Sequence, residues 1–503
     1  MTVGIEREVK LVAPPTFRLP DLTVAANGSP AVVLPPQRLQ ATYYDTVDLR
    51  LIRWGVTVRY RTGEEGGPVW TVKVPAVGAK GEGLSRRELN FRGRPGAVPD
   101  EAMALIRGFV RHAAIAPVAK LATRRHRAQV RDGNGHPLLE VADDVVSVLD
   151  NRQVAARFRE VEVEVQGDAS DELLRAVVDR LREAGASSAD STPKVIWALG
   201  PRATGPPEVE PFALGAESSG ADTVRAAISA AVTRLLQHDV GARLGDDAED
   251  VHQARVATRR LRSDLRTFRD LVQPEWGTFV REELRWLAGR LGAVRDTDVL
   301  LERLSDQVTR LPEQDRRAAT GLLKRLNSDR EAAREELHVA LQSDRYVDLV
   351  EELVHAARMP KLLPEADLPA TEILPQLVRK PWKQLQAAVA ALGDDPEDDK
   401  LHEVRIRTKR ARYAAEAVSP VMGKPAKLLG GALASLQSVL GDLQDGTVAE
   451  EWLRSTATRS RGAAAIVAGQ LVAVQHAEMA LARKRWKAAW KAASRKSLRS
   501  WMT

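Results

Sequence analysis

Cysteine is absent from the 503 residues of the sequence. Its absence excludes a disulfide framework, thiolate zinc sites and cysteine nucleophiles. The sequence also lacks an apolar run of about 18 residues, the length that crosses a bilayer. The closest run, 463–474, is interrupted by Gly469 and Gln470. The N-terminus, MTVGIEREVK, carries charges where a signal peptide needs an apolar core. We therefore predict a soluble, cytoplasmic protein.

Neither aromatic residues nor charges of one sign dominate the composition. Aromatic residues make up 4% of the chain, which leaves few rings for stacking on bases and disfavours a nucleic-acid partner. The chain has 75 Lys and Arg against 68 Asp and Glu, a formal net charge of +7. Up to residue 200 there are 28 basic and 25 acidic residues, and beyond it 47 and 43. Neither half is a polycation, so the positions of the charges carry the information.

Two patterns divide the chain. Residues 1–200 alternate with period two, as in 5–11 and 69–74, which predicts strands. From about residue 221 the pattern is helical. The segment 201–220 is rich in Pro, Gly and Ser and is predicted to be a linker. We thus predict a multidomain α+β protein with a strand domain at 1–200 and an all-α domain at 221–503.

Charged residues share one face of the predicted strands. Glu6, Glu8 and Lys10 point one way, and the apolar Ile5 and Val9 point the other. The same spacing recurs in three further sets: Arg59 with Arg61, Glu140 with Asp144, and Glu160 with Glu162 and Glu164. Any single set is more often a solvent face. If the sheet closes into a barrel, however, carboxylates and cations line one interior. Carboxylates bind hard divalent cations, and Arg and Lys bind phosphate oxygens, so we predict a metal–polyphosphate site.

The segment Glu6-x-Glu8-x-Lys10 resembles the ExExK motif of the CYTH domain family, also called triphosphate tunnel metalloenzymes. Further matching motifs follow in the family's order: Tyr43–Thr46, Gly55–Arg61, Lys73, Arg87-Glu88, Lys120 with Arg124-Arg125, Glu140–Asp144, Glu160–Glu164 and Lys194. The resemblance implies an antiparallel eight-stranded β tunnel that binds triphosphate groups with Mg²⁺ or Mn²⁺. The family includes tripolyphosphatases, thiamine triphosphatases and class IV adenylate cyclases.

The resemblance also implies residue roles. Glu6, Glu8 and Lys10 would be catalytic. The metal would be held by Glu6, Glu8, Glu140, Asp144, Glu160, Glu162 and Glu164. Phosphates would be bound by Lys10, Arg59, Arg61, Lys73, Arg87, Lys120, Arg124 and Lys194. Strand parity with Lys120 favours Arg124 over Arg125, and parity with Glu140 favours Asp144 over Asp143. The hypothesis is hydrolysis, in which one metal ion neutralises the phosphates and a second ion, or a carboxylate, activates water.

The helical half contains an internal repeat. Residues 251–262 align with 401–412, and 291–296 align with 440–445. The two matches have similar offsets, which predicts two copies of one helical unit related by a pseudo-two-fold axis.

Each copy carries a cationic helix face with a histidine. At 100° per residue, the first face falls within an arc of about 80°; it comprises His252, Arg255, Arg259, Arg262 and Arg266. The second comprises His402, Arg405, Lys409 and Arg412, with Glu416 at the position that matches Arg266. One such stripe is more often a surface face, but two at matched positions predict a groove for a linear polyanion. Arginine neighbours disfavour a metal at His252 and His402, and a histidine donating to phosphate fits better.

The repeated segments resemble the CHAD domain, the conserved histidine α-helical domain. That resemblance covers about residues 221–503 and implies two pseudo-two-fold-related four-helix bundles that bind inorganic polyphosphate. CYTH followed by CHAD is a known bacterial domain order. The resemblance also suggests an association with polyphosphate granules. The basic C-terminus, 483–499, is left open between a bundle end, a polyanion surface and a contact with an anionic membrane.

Three functions remain open from the sequence. The first is a metal-dependent hydrolase of triphosphate or short polyphosphate. The second is a non-catalytic polyphosphate adaptor. The third, less favoured, is a triphosphate-nucleotide enzyme such as a class IV adenylate cyclase, or a thiamine triphosphatase. The number of clustered carboxylates favours the hydrolase, because binding alone needs fewer of them.

Overall fold

The computed structural model describes residues 2–23, 29–75, 84–150, 153–188, 193–459 and 462–502. The chain divides into two compact units, 1–208 and 209–503. The division falls within the segment 201–220.

The first unit is a closed antiparallel barrel. Its strands are β1 (Thr2–Val12), β2 (Ala31–Asp45), β3 (Thr57–Thr62), β4 (Val69–Pro75), β5 (Leu84–Phe91), β6 (Ala116–Arg131), β7 (Pro137–Asp150), β8 (Gln153–Val165) and β9 (Ser187–Ser188). The strand order is β5-β4-β3-β2-β6-β7-β8-β1, and β1 also pairs with β5, which closes a ring of eight strands. The short β9 pairs with β1 outside that ring. The predicted eight-stranded tunnel is confirmed.

Among the described residues, four helices accompany the strands of the barrel. They are α1 (Arg50–Arg53), α2 (Asp100–Val110), α3 (Asp171–Glu183) and α4 (Lys194–Leu199). Helix α3 covers an apolar part of the outer face of the barrel. Helix α3 begins after Ser170, whose hydroxyl accepts a hydrogen bond from the Leu173 amide. Its Leu174, Val177 and Leu181 pack on outward-facing strand residues such as Val161. Burying each such side chain contributes about 1.5–3 kcal/mol. Because this core lies outside the ring, many inward positions are left for polar side chains. A smaller apolar cluster lies on the inward face, where Leu121 and Val146 pack with Val195 of α4.

The second unit is entirely helical. Its helices are α5 (Gly220–Gln237), α6 (Asp239–Leu244), α7 (Ala248–Thr267), α8 (Pro274–Thr309), α9 (Glu313–Gln342), α10 (Asp344–Arg358), α11 (Ala370–Ala390), α12 (Asp398–Met422), α13 (Lys424–Ala457) and α14 (Ala463–Ala493). Successive helices pack in two sets, α5-α7-α8-α9 and α11-α12-α13-α14, and α7 packs against α12. The predicted pair of helical bundles is confirmed.

Helix α14 is, among the described helices, the one whose length and hydropathy would allow it to cross a membrane. It also has a buried face: Val467, Ala468 and Leu471 pack in a core shared with α8, α9 and α13. A core helix of a bundle meets the same criteria of length and composition, so this observation is weak evidence for a membrane span.

Candidate functional site

A cavity of about 360 Å³ lies inside the barrel, and we call it the tunnel cavity. Its cationic lining consists of Lys10, Arg59, Arg61, Lys73, Arg86, Arg125, Arg127 and Lys194. Its carboxylates are Glu8, Glu64, Glu65, Glu88, Glu140, Glu162 and Glu164. Eight cations therefore share one cavity with seven carboxylates, which suits a phosphate–metal ligand.

Three carboxylates form a row across adjacent strands at the wall of the tunnel cavity. Glu8 of β1 stands opposite Glu164 of β8, and Glu164 stands opposite Glu140 of β7. Directly opposite side chains have Cβ atoms about 4.5–5.5 Å apart, so like charges there destabilise the sheet. A hard divalent cation would relieve the repulsion and would find the oxygen ligands that it prefers. These residues fit the metal that the sequence predicts.

Lys194, which lines the tunnel cavity, also occupies a second cluster of carboxylates. Its Nζ lies 2.8 Å from Asp144, 2.6 Å from Glu160 and 2.9 Å from Glu162. The carboxylate oxygens of these three residues lie within 4.8 Å of one another, close enough to share a metal ion. Lys194, Arg125 and Lys10 already supply counter-charges to these carboxylates, however. Asp144 and Glu160, both predicted metal ligands, are therefore held in a buried ion-pair cluster.

Burial sets the protonation of this cluster. It raises the pKa of Glu160 to about 7, because the neighbouring Lys194 offsets the loss of solvation only in part. Burial also opposes the charge of Lys10, but the Glu162 carboxylate, 2.5 Å from the Lys10 Nζ, raises the pKa of Lys10 above its usual value. Lys10 also lies 3.3 Å from Glu8. This motif lysine is thus firmly cationic and sits at the carboxylate row.

On the opposite wall, cations crowd one another. Burial, followed by the charge of Arg59, lowers the pKa of Arg61 to about 10. Burial opposes the charge of Glu88, but Lys73, 2.9 Å away, and Arg59 act together with hydrogen bonds to lower the pKa of Glu88 to about 2. A bound phosphate would relieve the repulsion between the two arginines, and bidentate contacts are the geometry that arginine offers.

Three predicted phosphate ligands do not line the tunnel cavity. Lys120 and Arg124 are exposed on the outside of β6, and Arg125 faces inward instead. Arg125 forms two hydrogen bonds with Asp144, at 2.8 and 2.7 Å, and lies 3.0 Å from Glu162. The prediction that Arg124 faces inward assumed that Lys120, on the same face of the strand, does so. Lys120 points outward, and the prediction was therefore wrong.

The sequence contained the signal that selects Arg125. Ala128 and Val130 belong to the outer apolar core, so even-numbered positions in this part of β6 face outward. The odd-numbered Arg125 and Arg127 therefore face the tunnel cavity.

The third correction lies on β5. Arg87 stands opposite the apolar Ile5, whereas Arg86 stands opposite Glu6 and lines the tunnel cavity. The side chain of Glu6 lies outside the described residues. Asp143 bonds Arg159 on the outer side of the sheet, which leaves Asp144 as the inward aspartate.

The helical unit contains a groove of about 690 Å³ lined by α7, α8, α12 and α13, and we call it the basic groove. Seven of the predicted residues line it: His252, Arg255, Arg259, Arg262, His402, Arg405 and Lys409. Helix α8 adds Arg285, Arg295 and Arg303, which were not among the predicted ligands, although Arg295 lies within the repeated segment 291–296. The histidine stripes of the two repeats thus face the same cavity.

Two predicted groove residues lie elsewhere. Arg412 donates to Glu416 at 2.6 Å and does not line the basic groove. Arg266 also lies outside it, beside Arg281, which helps burial to lower the pKa of Arg266.

Crowded cations shift the protonation of the basic groove. Burial, followed by the charges of Arg259 and Arg405, lowers the pKa of Lys409 to about 7. Burial and the charge of Arg295 likewise lower the pKa of His252. One groove arginine is compensated, since Arg255 donates to Asp296 at 2.8 Å. A polyanion entering the basic groove would favour the protonated forms of Lys409 and His252.

Comparisons with known proteins match both units. The CYTH domain model matches residues 4–196 and the CHAD domain model matches 226–454. An uncharacterized protein of Mycobacterium tuberculosis (strain CDC 1551 / Oshkosh) is 32% identical over 443 residues, 83% of this chain and 82% of the relative. Among solved structures, PptA from Streptomyces chartreusis is 27% identical, with a TM-score of 0.47, and covers 55% of this chain and 100% of its own. The CHAD domain from the plant Ricinus communis is 26% identical, with a TM-score of 0.48, and covers 57% of this chain and 96% of its own.

The Lys194 cluster generates a prediction about stability. Lys194→Met leaves three buried carboxylates without their shared cation, so we expect it to destabilise the first unit by about 3–5 kcal/mol. Hydrogen exchange of the β7 and β8 amides in urea measures the loss. Lys120→Met, at an exposed position on β6, is the matched control and should change little. Equal effects of the two changes would contradict the assigned role of Lys194.

The basic groove generates a prediction about pH. Lys409 loses its proton as the pH rises through about 7, and a bound polyanion raises its pKa. Long polyphosphate should therefore bind more tightly as the pH falls from 9 to 6, and binding above pH 7 should take up protons. Titration calorimetry in buffers of different ionisation enthalpy measures that uptake. Lys409→Arg stays charged and should take up fewer protons; an unchanged uptake would exclude Lys409 as the source.

Proposed function

Since the chain belongs to the CYTH domain family over residues 4–196 and to the CHAD domain family over 226–454, we propose that it binds inorganic polyphosphate and hydrolyses triphosphate or short polyphosphate in the tunnel cavity. The observation that carries the proposal is the row of Glu8, Glu164 and Glu140 beside the cationic wall. Oxygen ligands for a metal and donors for phosphate thereby meet in one cavity. Cytoplasmic location and association with polyphosphate granules remain predictions.

Different residues of the tunnel cavity would have different roles in hydrolysis. Arg59, Arg61 and Lys73 would bind the phosphate oxygens and hold the terminal phosphorus in place. Glu8, Glu140 and Glu164 would hold Mg²⁺ or Mn²⁺, which neutralises charge on the phosphates and lowers the pKa of water. A carboxylate of this row accepts the proton of the attacking water as the phosphoanhydride bond breaks in line. Lys10, kept cationic by Glu162, stabilises the negative charge of the transition state.

The basic groove supplies the second part of the proposal. Its cations come from matched positions of two repeats, so the charge is distributed along the groove rather than focused on one point. A linear chain of phosphates complements that distribution. Binding that neutralises many cations falls steeply with salt, as it does for other polyanions.

A non-catalytic adaptor is the second candidate, and the Lys194 cluster favours it. Lys194, together with Arg125 and Lys10, is paired with Asp144, Glu160 and Glu162, which leaves fewer carboxylates for metal than the sequence predicts. A nucleotide cyclase is disfavoured, because among the described residues the tunnel lining is nearly all charged or polar and offers little surface for a base. A substrate panel of tripolyphosphate, ATP, thiamine triphosphate and long polyphosphate, with and without Mg²⁺ or Mn²⁺, separates these functions.

The carboxylate row generates the first test of hydrolysis. Glu8→Gln with Glu164→Gln should lower metal-dependent phosphate release from tripolyphosphate by about 100-fold or more, because two of the three carboxylates that would hold the metal and accept the proton are lost. Binding of long polyphosphate should persist in this variant. Glu183→Gln, on the exposed side of α3, is the control and should retain full release.

The reciprocal variant changes His252, Arg255, His402 and Arg405 to Ala. We expect it to lose binding of long polyphosphate and to keep release from tripolyphosphate. If wild-type protein releases no phosphate from any substrate but binds long polyphosphate, the adaptor is correct and the hydrolase is wrong.

A pair of arginine variants tests the corrected lining. Arg61→Ala removes a charged donor from the tunnel cavity and should raise the KM for tripolyphosphate about tenfold or more. Arg124→Ala removes an equal charge from the outer face of β6 and should leave the KM unchanged. Steady-state phosphate release measures both, and a larger effect at Arg124 would overturn the assignment of the inner face.

A further inference from the structure

The helical unit contains a second cavity, of about 750 Å³, on the side of α7 that faces α5. Residues 211–214, which precede α5, form one wall, and α12 forms another. Only His252, Val256 and Arg259 line both this cavity and the basic groove, as far as the described residues show. Its size lies within the range of small-molecule sites, about 300–1,000 Å³.

A row of alanines distinguishes this cavity, which we call the alanine cavity. Ala226, Ala227, Ala230 and Ala231 of α5 line it at helical spacing. The buried face of α5 is formed mainly by larger residues such as Val224, Ile228 and Leu235, and of the four alanines only Ala231 belongs to it. A helix face turned away from the core is normally polar. Here short methyl groups leave an apolar wall with open space beside it.

Two acceptors at the alanine cavity have no donor. The side chain of Asp264 is 3% exposed, and its Oδ2 accepts from the Arg260 Nε at 3.0 Å. Its Oδ1 is buried and has no hydrogen-bond partner among the described residues. The Oε1 of Gln437, which also lines the cavity, is likewise buried and unpartnered. Because a buried acceptor without a donor is destabilising, both point to a ligand that carries N–H groups.

The charge of the alanine cavity selects an anion. Four arginines line it with two carboxylates, Asp264 and Glu416. Arg260 bonds both carboxylates and Arg412 bonds Glu416, which neutralises that part of the wall. Arg259 has no carboxylate partner among the described residues; it donates to the Tyr413 hydroxyl at 3.2 Å. Arg234 lies at the exposed end of the alanine row.

We propose that the alanine cavity binds a nucleoside phosphate. The phosphate would contact Arg259 and Arg234, the flat base would lie on the alanine wall, and its N–H groups would donate to Asp264 and Gln437. Inorganic polyphosphate has neither an apolar face nor N–H donors, and a fatty acid lacks the donors. A polyamine would meet an excess of cations. The class of ligand therefore differs from that of the basic groove.

The test uses the full-length chain with Arg61→Ala, so that the tunnel cavity does not obscure binding. AMP and GMP are the probes, because they carry a base and one phosphate but no triphosphate. Titration calorimetry should give saturable binding of at least one of them. Phenyl phosphate, which has a ring and an anion but no N–H donor, should bind about tenfold more weakly. Absence of saturable binding by either nucleotide, or equal binding of phenyl phosphate, overturns the proposal.

Two variants locate the site. Ala227→Trp fills the space beside the alanine row and should weaken nucleotide binding by about tenfold or more, while Val339→Trp, at an exposed position of α9, should not. Gln437→Leu keeps a similar volume but removes an acceptor, and should weaken AMP or GMP more than phenyl phosphate. Binding unchanged by Ala227→Trp would exclude this cavity. Phosphate release and polyphosphate binding, measured on the single variants without Arg61→Ala, should stay unchanged and report separately on the proposed function.

Discussion

Neutralisation of buried charge is the constraint on which the barrel depends. A charge removed from water is stable only beside a partner of opposite sign. The closed ring places charged side chains inside, so each carboxylate-bearing strand must face a cation. Lys194 shows the principle at its strongest, since one ammonium on α4 contacts three carboxylates from two strands. At the row of Glu8, Glu164 and Glu140, Lys10 lies 3.3 Å from Glu8 and Arg127 lies 3.7 Å from Glu140, and the adjacent carboxylates offer oxygen ligands to a metal as a further counter-ion.

The helical unit gathers like charges in one groove, whereas the barrel pairs opposite charges. Cations from both repeats face one groove with few carboxylates, and the shared repulsion lowers the pKa of Lys409 to about 7. The barrel gains free energy from its internal ion pairs. The basic groove gains it when an anionic ligand binds. The two units thus differ in the anions that they suit: a small cavity with paired charges fits a short group, and an open row of cations fits a long chain.

Sequence periodicity predicted the architecture because strands and helices each bury apolar side chains on one face, and that burial sets the period of the pattern. It also predicted the inward faces of β1 and β8, where apolar residues alternate without interruption. It was wrong at Arg124 and Arg87, because each belongs to a pair of adjacent cations and only one member of each pair can face inward. The outer core settles the choice, since Ala128 and Val130 pack under α3. The groove arginines of α8 were missed because they become neighbours of α7 only through packing.

The departure from symmetry between the repeats has a physical cause. Glu416 replaces the arginine that the repeat would place on α12, and it bonds both Arg260 of α7 and Arg412 of its own helix. Because α7 and α12 pack against each other, an arginine there would meet other cations across the contact. The glutamate instead creates a neutral seam of Arg260, Asp264, Glu416 and Arg412. That seam bounds the cationic surface on this side of α7. Beyond the seam, the wall of the alanine cavity is apolar. Two cavities beside one helix can therefore select different ligands.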